Sequence, residues 1–219
     1  MEKSIFASSI FISCFILLQL RGSIAALTDG FTAQDFTFKV QKPYDKSVDQ
    51  RYTFINGVHT MWVFSNDKPA SPNTNTKPRT EMRLQAKGGD YTSGVWQFEG
   101  DMYVPSGSTG VAVMQVMGGV NGGSAALQIR VYDGALKQYG STAPTPFGPA
   151  NVYNWWIHVN VIHDADKKHI QVYFDGKLSL DAPNPGTGSH YFKCGVYEQN
   201  NPSQRMESRW RNIKIWKRN

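Results

Sequence analysis

A single all-β sandwich is the fold this sequence predicts, and three observations predict it. About ten short runs are rich in β-branched and aromatic residues and are separated by turn signals. Two of those turns, Asp133-Gly134 and Asp175-Gly176, carry a residue pair strongly favoured in two-residue hairpins. No window sustains a 3.6-residue apolar period of useful length. Composition agrees: of 219 residues, 40% are hydrophobic, 13% aromatic and 18% charged, which excludes a disordered chain. Gly (20) and Pro (11) are too few for a collagenous or low-complexity chain. Strands without helices, in a chain long enough to bury a core without disulfides, fold as a β-sandwich or jelly roll.

The elements follow in order. Residues 1–25 read as a secretory signal peptide: Lys3, an apolar run from Ile5 to Leu20, then the small-residue site Ser23-Ile24-Ala25. The run falls short of the roughly 20 residues that span a bilayer and has no second copy, so no membrane span is expected. Residues 26–219 then form one domain. Its expected strands are Thr37–Val40, Val58–Phe64, Thr80–Leu84, Val95–Val104, Val111–Met117, Leu127–Tyr132, Trp155–Ile162, Ile170–Phe174, Tyr191–Tyr197 and Trp210–Trp216. Pro69–Pro78 and Gly140–Asn151 read as loops placed to rim a groove.

Cys14 lies in the signal, so Cys194 alone remains, which excludes a disulfide framework and a multi-Cys zinc site. No cofactor motif is visible and no metal is assigned; His163-Asp164-Ala165-Asp166 reads as a turn. Without Lys3, Arg21 and Glu2, the 23 Lys and Arg fall to 21 and the 17 Asp and Glu to 16, leaving a net charge of +5. The charge is scattered and is dense only from Arg205 to Arg218. An acidic polysaccharide or organic acid is the expected partner, ahead of nucleic acid.

Alternation sharpens the reading. Along Arg79-Thr80-Glu81-Met82-Arg83-Leu84-Gln85, Arg79, Glu81, Arg83 and Gln85 share one face, with Met82 and Leu84 on the other. Along Tyr191 to Gln199, Phe192, Cys194 and Val196 form the buried face and Tyr191, Lys193, Gly195, Tyr197 and Gln199 the polar one. From Leu127 to Tyr132 the polar set is Gln128, Arg130 and Tyr132. Arg, Gln and Tyr make directed, planar hydrogen bonds, and an Arg fork fits a carboxylate. Either a carboxylate-binding face or an internal salt-bridge ladder satisfies this pattern.

Several segments then resemble a known family. Arg79-Thr80-Glu81-Met82-Arg83 resembles the R-[ST]-E-x-R motif of the jelly-roll alginate lyases, and Tyr191 to Gln199 resembles their Y-F-K-A-G-x-Y-x-Q motif. Gln115-Val116-Met117 stands where they carry Q-[IV]-H. The plant citrate-binding protein family, a branch of that group, is a closer match through Phe54 to His59, Ser93 to Gly100, Asn160 to Asp164 and Met206 to Trp210. The resemblance implies a concanavalin-like jelly roll with a concave groove. In the lyases that groove binds an acidic polysaccharide and cleaves it by β-elimination.

Carried over residue by residue, the resemblance puts ligand binding on Arg79, Glu81, Arg83, Lys193 and Gln199, and neutralisation or proton transfer on Gln115 and Tyr197. Arg130 joins the binding set from the alternation. Met117 departs from the pattern, because a thioether neither takes up a proton nor donates a hydrogen bond. His59 is the candidate replacement, on an expected neighbouring strand. His59 within hydrogen-bond reach of Tyr197 or Gln115 favours catalysis; His59 packed against Trp62 or Phe64 favours binding. A Tyr base also needs neighbouring cations to depress its pKa from about 10. His158 and His163 are expected at the surface or rim, His169 in solvent and His190 at the groove end.

The leading expectation is a monomeric carboxylate binder for citrate or an acidic glycan, with a glucuronan- or alginate-type polyuronate lyase as the alternative. The cell wall and the vacuole are both consistent destinations.

Overall fold

A computed structural model describes residues 27–119, 124–139, 147–184 and 186–219. The segment expected to be a signal peptide lies outside these residues, as does part of the expected Gly140–Asn151 loop. The described residues form fourteen strands and one 3-10 turn, Val48–Gln50.

Two antiparallel sheets make the jelly-roll sandwich. The first has the order β12 (Lys177–Pro183), β11 (His169–Phe174), β10 (Trp156–Asp164), β6 (Val95–Tyr103), β14 (Arg205–Arg218), β4 (Val58–Phe64) and β3 (Tyr52–Ile55). A further short strand, β1 (Phe31–Gln34), pairs with β14. The second has the order β2 (Phe36–Gln41), β5 (Arg79–Ala86), β13 (Tyr191–Glu198), β7 (Val111–Met117), β8 (Ala125–Tyr132) and β9 (Ala135–Tyr139). No described helix is long and apolar enough to cross a membrane.

All ten expected strands are present, several of them longer than expected. The four additional strands, β1, β3, β9 and β12, are short or partly exposed and lack a strong apolar run. Turn chemistry accounts for three of them. Asn56-Gly57, Asp133-Gly134 and Asp175-Gly176 all have positive φ at both residues, the type I′ geometry that matches strand twist, and each joins an expected strand to an additional one.

The alternating apolar faces meet between the sheets. Met82 and Leu84 of β5, Phe192, Cys194 and Val196 of β13, and Leu127, Ile129 and Val131 of β8 pack toward Met61, Phe98 and Trp210 of the first sheet. Burying each large side chain is worth roughly 1.5–3 kcal/mol, so the core fixes which face of each strand looks outward. One polar contact crosses it: Ser208 Oγ donates to the Gly195 carbonyl at 2.7 Å. Gly195 has φ +139°, and a Cβ there would lie 2.4 Å from the Thr80 carbonyl oxygen. Only glycine lets β13 approach β5 so closely.

Two histidine expectations are corrected. His163 is not at the surface: it is 1% exposed, with Nδ1 2.9 Å from the Tyr91 hydroxyl and Nε2 3.0 Å from Asn184 Nδ2. Burial, assisted by neighbouring His190, pushes its pKa down to about 3. His190 does not open into the groove either; it is buried beside Tyr91 and His163, with Nδ1 3.0 Å from the Met117 carbonyl. Both sit on inward-facing positions whose neighbours satisfy the imidazole, which local polarity does not reveal. His158 is half-buried against Asp101 at 2.8 Å, and His169 pairs with Asp181 at 2.8 Å.

Candidate functional site

The outward face of the second sheet carries two rows of side chains set by strand register. Lys39, Arg83, Lys193, Gln115, Gln128 and Tyr139 are successive Cα partners across β2, β5, β13, β7, β8 and β9. Arg79, Tyr197, Ala112, Arg130 and Lys137 form the second row. The rows stand four residues apart on β5 and β13 but two apart on β8, because register shifts beside β7 absorb the difference. They therefore converge on β8, where Arg130 reaches Gln128.

Glu81, between the rows, is the acceptor on which the cluster is built. Its Oε2 takes Lys193 Nζ at 3.3 Å and Arg79 Nη1 at 3.4 Å, and its Oε1 accepts from Gln115 Nε2. Gln128 Nε2 donates to Gln115 Oε1 at 2.7 Å, and Arg130 Nε donates to Gln128 Oε1 at 2.8 Å. This chain fixes the orientation of both amides, since each uses its oxygen as acceptor and its nitrogen as donor.

Each arginine also lies on a tyrosine. Arg79 is 3.9 Å from the Tyr197 ring centre, Arg83 4.0 Å from Tyr191 and Arg130 4.2 Å from Tyr139. Stacking holds a guanidinium flat and leaves its edge donors to point elsewhere. Arg83 donates to Asp90 at 2.6 Å. Four cations, Arg79, Arg83, Arg130 and Lys193, thus surround two carboxylates, Glu81 and Asp90, and the face carries an excess of positive charge. Burial lowers the Lys193 pKa and the Glu81 charge opposes that, while Arg79 and Arg83 reinforce it. Arg79 Nε is buried without a partner, and the Tyr197 hydroxyl has no hydrogen-bond partner among the described residues.

The structure therefore gathers Arg79, Glu81, Arg83, Gln115, Arg130, Lys193 and Tyr197 on one face. It does not gather Gln199, whose Nε2 donates to the carbonyls of Tyr197 at 3.2 Å and Glu198 at 2.8 Å beyond the end of β13. Nor does it gather His59. That residue lies on β4 of the opposite sheet, with Nδ1 2.9 Å from the Tyr52 hydroxyl. Its ring stacks on Phe54 at 4.3 Å and meets Phe38 edge-on at 5.5 Å, and burial lowers its pKa. The expected neighbouring strand is corrected accordingly: alternation tells which face of its own strand a residue occupies, not which sheet the strand joins. Met117 does stand on this face as the Cα partner of Tyr191.

Three further contributors are not singled out as site residues by the sequence pattern. Gln128 links the two halves of the cluster and is marked only by alternation. Asp90 lies in the bend after β5 and Tyr139 ends the short strand β9, where no periodic signal marks them. A recess beside the cluster is lined by Thr37, Lys39, Gln41, Arg83 and Gln85.

The geometry agrees with comparisons to known proteins. Residues 36–217 match the alginate lyase family model, and the chain belongs to that family. Within it, the chain is 50% identical over 194 residues to the citrate-binding protein of Hevea brasiliensis, a match covering 87% of this chain and 79% of the relative. This supports the citrate-binding branch. Solved structures share the jelly roll. Alginate lyase AlgAT5 from polysaccharide lyase family 7 superposes with a TM-score of 0.63 at 17% identity, covering 81% of this chain and 93% of that one. Alginate lyase A1-II′ of the same family gives 0.62 at 14% identity, covering 85% and 96%.

Proposed function

We propose that this protein binds carboxylates on the cationic face of its second sheet, as a binding protein for citrate or an acidic glycan. The observation that carries the reading is the convergence of Arg79 and Lys193 on Glu81, with Gln115 held between Glu81 and Gln128. A ligand carboxylate would take the unused edges of Arg79 and Arg83, which reach solvent, while buried Lys193 and Gln115 supply charge and a fixed donor in the floor beneath. Charge-assisted hydrogen bonds of this kind are about twice as strong as neutral ones.

Spacing bears on ligand size. Arg79 and Arg83 stand four residues apart on one strand, about 13 Å at the usual rise. Arg130 lies three strand steps from Arg79, about 14 Å. One citrate would engage a single corner of this triangle, whereas an acidic oligosaccharide would engage all three.

The second reading, a polyuronate lyase, is favoured by one observation. The Tyr197 hydroxyl has no hydrogen-bond partner among the described residues, and the Arg79 cation lies over its ring, a setting suited to a proton-transfer group. Against it, Met117 replaces the motif His and His59 is on the other sheet. Titration calorimetry with citrate and with uronate oligomers, run beside ultraviolet detection of the unsaturated uronate that elimination creates, separates the readings. The binding reading expects saturable heat and no absorbance rise. A rise that Tyr197→Phe abolishes would establish the lyase. Entry into the secretory pathway through residues 1–25 is part of the same proposal, and mass spectrometry of the cell-derived chain tests it.

A further inference from the structure

The densest run of charge in the sequence, on β14, plays no part in the groove. It lies on the outward face of the first sheet. Glu207, Arg209, Arg211, Lys214 and Trp216 face outward there, while Ser208, Trp210 and Ile215 point into the core. A positive φ at Asn212 and a register shift between Arg211 and Lys214 restore the outward set after one extra residue.

The ion pairs on this face are asymmetric. Arg205 and Arg209 pair with Glu207 at 2.6 and 2.8 Å, Arg211 with Asp101 at 3.1 Å and Lys214 with Glu99 at 3.1 Å. The cation side chains are 40–51% exposed, the carboxylates only 4–16%. The anions form the floor and the cations form the surface. With Arg218 at the strand end, five cations stand over three carboxylates. The strand displays positive charge for about 40 Å at the usual rise per residue.

Each cation is also held on a ring. Arg205 lies 5.6 Å from Trp62, Arg209 5.0 Å from Tyr103, Arg211 4.2 Å from Trp156, Lys214 5.5 Å from Trp216 and Arg218 4.6 Å from Phe31. Held this way, the charges lose little freedom when an anion arrives. The same stacking selects the kind of polyanion. Single-stranded nucleic acid is bound largely by stacking bases on free aromatic faces, and here those faces are covered by cations. What remains on offer is a row of charges at strand spacing, which suits a chain of carboxylated or sulfated sugars.

We infer that the β14 stripe is a second binding surface for acidic polysaccharide, separate from the groove and on the opposite side of the sandwich. It does not rest on the groove reading. The test is adsorption to immobilised polygalacturonate, measured against salt, in a chain whose groove is disabled by Arg79→Ala and Arg83→Ala. Adsorption persists in that background and weakens as salt is raised. Adding Arg209→Gln, Arg211→Gln and Lys214→Gln lowers it at least tenfold, while the same triple change in the otherwise native chain leaves calorimetric citrate binding unaltered. Circular dichroism checks folding, because the triple change takes a partner from each of three carboxylates, Glu207, Asp101 and Glu99. Arg205→Gln with Arg218→Gln takes from Glu207 only one of its two partners, leaves Asp101 and Glu99 paired, and still lowers adsorption about threefold. Adsorption unchanged by both sets of substitutions overturns the inference. So does tighter binding of a single-stranded oligodeoxynucleotide than of polygalacturonate.

Discussion

Lys193 and Glu81 face each other at 3.3 Å across β13 and β5, each with a side chain only 2% exposed. A buried ion pair of this kind contributes little net stability when intact, but breaking it is costly, because the remaining charge has lost both water and partner. Glu81→Ala would strand Lys193 and leave Arg79 and Gln115 without their shared acceptor. The expected loss is roughly 3–5 kcal/mol, read as a shift in the urea midpoint. Carboxylate binding should fall with it, since the cations are no longer held in place.

His163 predicts the acid limb of stability. Its pKa is about 3 folded and 6.5 in the reference state, so the unfolded chain binds the extra proton between those values. A base depressed on folding costs stability as pH falls through the unfolded pKa and reaches its full cost below the folded one. Between pH 6.5 and 3 the loss is on the order of 4 kcal/mol. His190 and His59, also depressed by burial, add in the same direction. His158 acts oppositely. The hydrogen bond to Asp101 raises its pKa, so its contribution is complete below the unfolded value and is lost as pH rises through the folded one. Urea midpoints from pH 7 to pH 4 in native and His163→Gln chains check this. The variant should show the shallower acid slope.

Gly195 predicts a backbone limit. Gly195→Ala would need an L residue at φ +139° with its Cβ 2.4 Å from a carbonyl oxygen and 2.8 Å from the Glu81 Cα. The expected cost is on the order of 3 kcal/mol. Because β5 must move to admit the methyl group, ligand affinity should drop as well, which calorimetry at a temperature well below the melting point would detect.

Gln115 tests whether amide orientation matters. Gln115→Glu places a second carboxylate against Glu81 and removes the donor that faces it. The variant should bind uronate at least tenfold more weakly than native protein, as read by calorimetry. Gln128→Asn shortens the relay without adding charge and should have a smaller effect.

Much of the fold and the face of the candidate site were legible in the sequence. Period-2 alternation placed Arg79, Glu81 and Arg83 opposite Met82 and Leu84 without any tertiary information, because the core admits only one face of β5. Asp-Gly pairs marked two hairpins, though their weak partner strands β9 and β12 carried too few apolar residues to announce themselves. What escaped was pairing between distant strands. His59 has the same local pattern whichever sheet β4 joins, and His163 reads as polar until Tyr91 and Asn184 are seen to satisfy it. Gln128 belonged visibly to a polar face, but its link to Gln115 depends on the register of β7 against β8.

The most direct test of the groove is the dependence of affinity on ligand length. Citrate, a single uronic acid and uronate oligomers of increasing length are titrated into native and Arg130→Ala protein in citrate-free buffer. If the three arginines act as separate corners of one site, affinity climbs at least tenfold from citrate to the oligomer that spans them. Arg130→Ala then erases that gain while changing citrate binding less than twofold. Citrate binding as tightly as every oligomer, with Arg79→Ala leaving all affinities unchanged, would contradict the account.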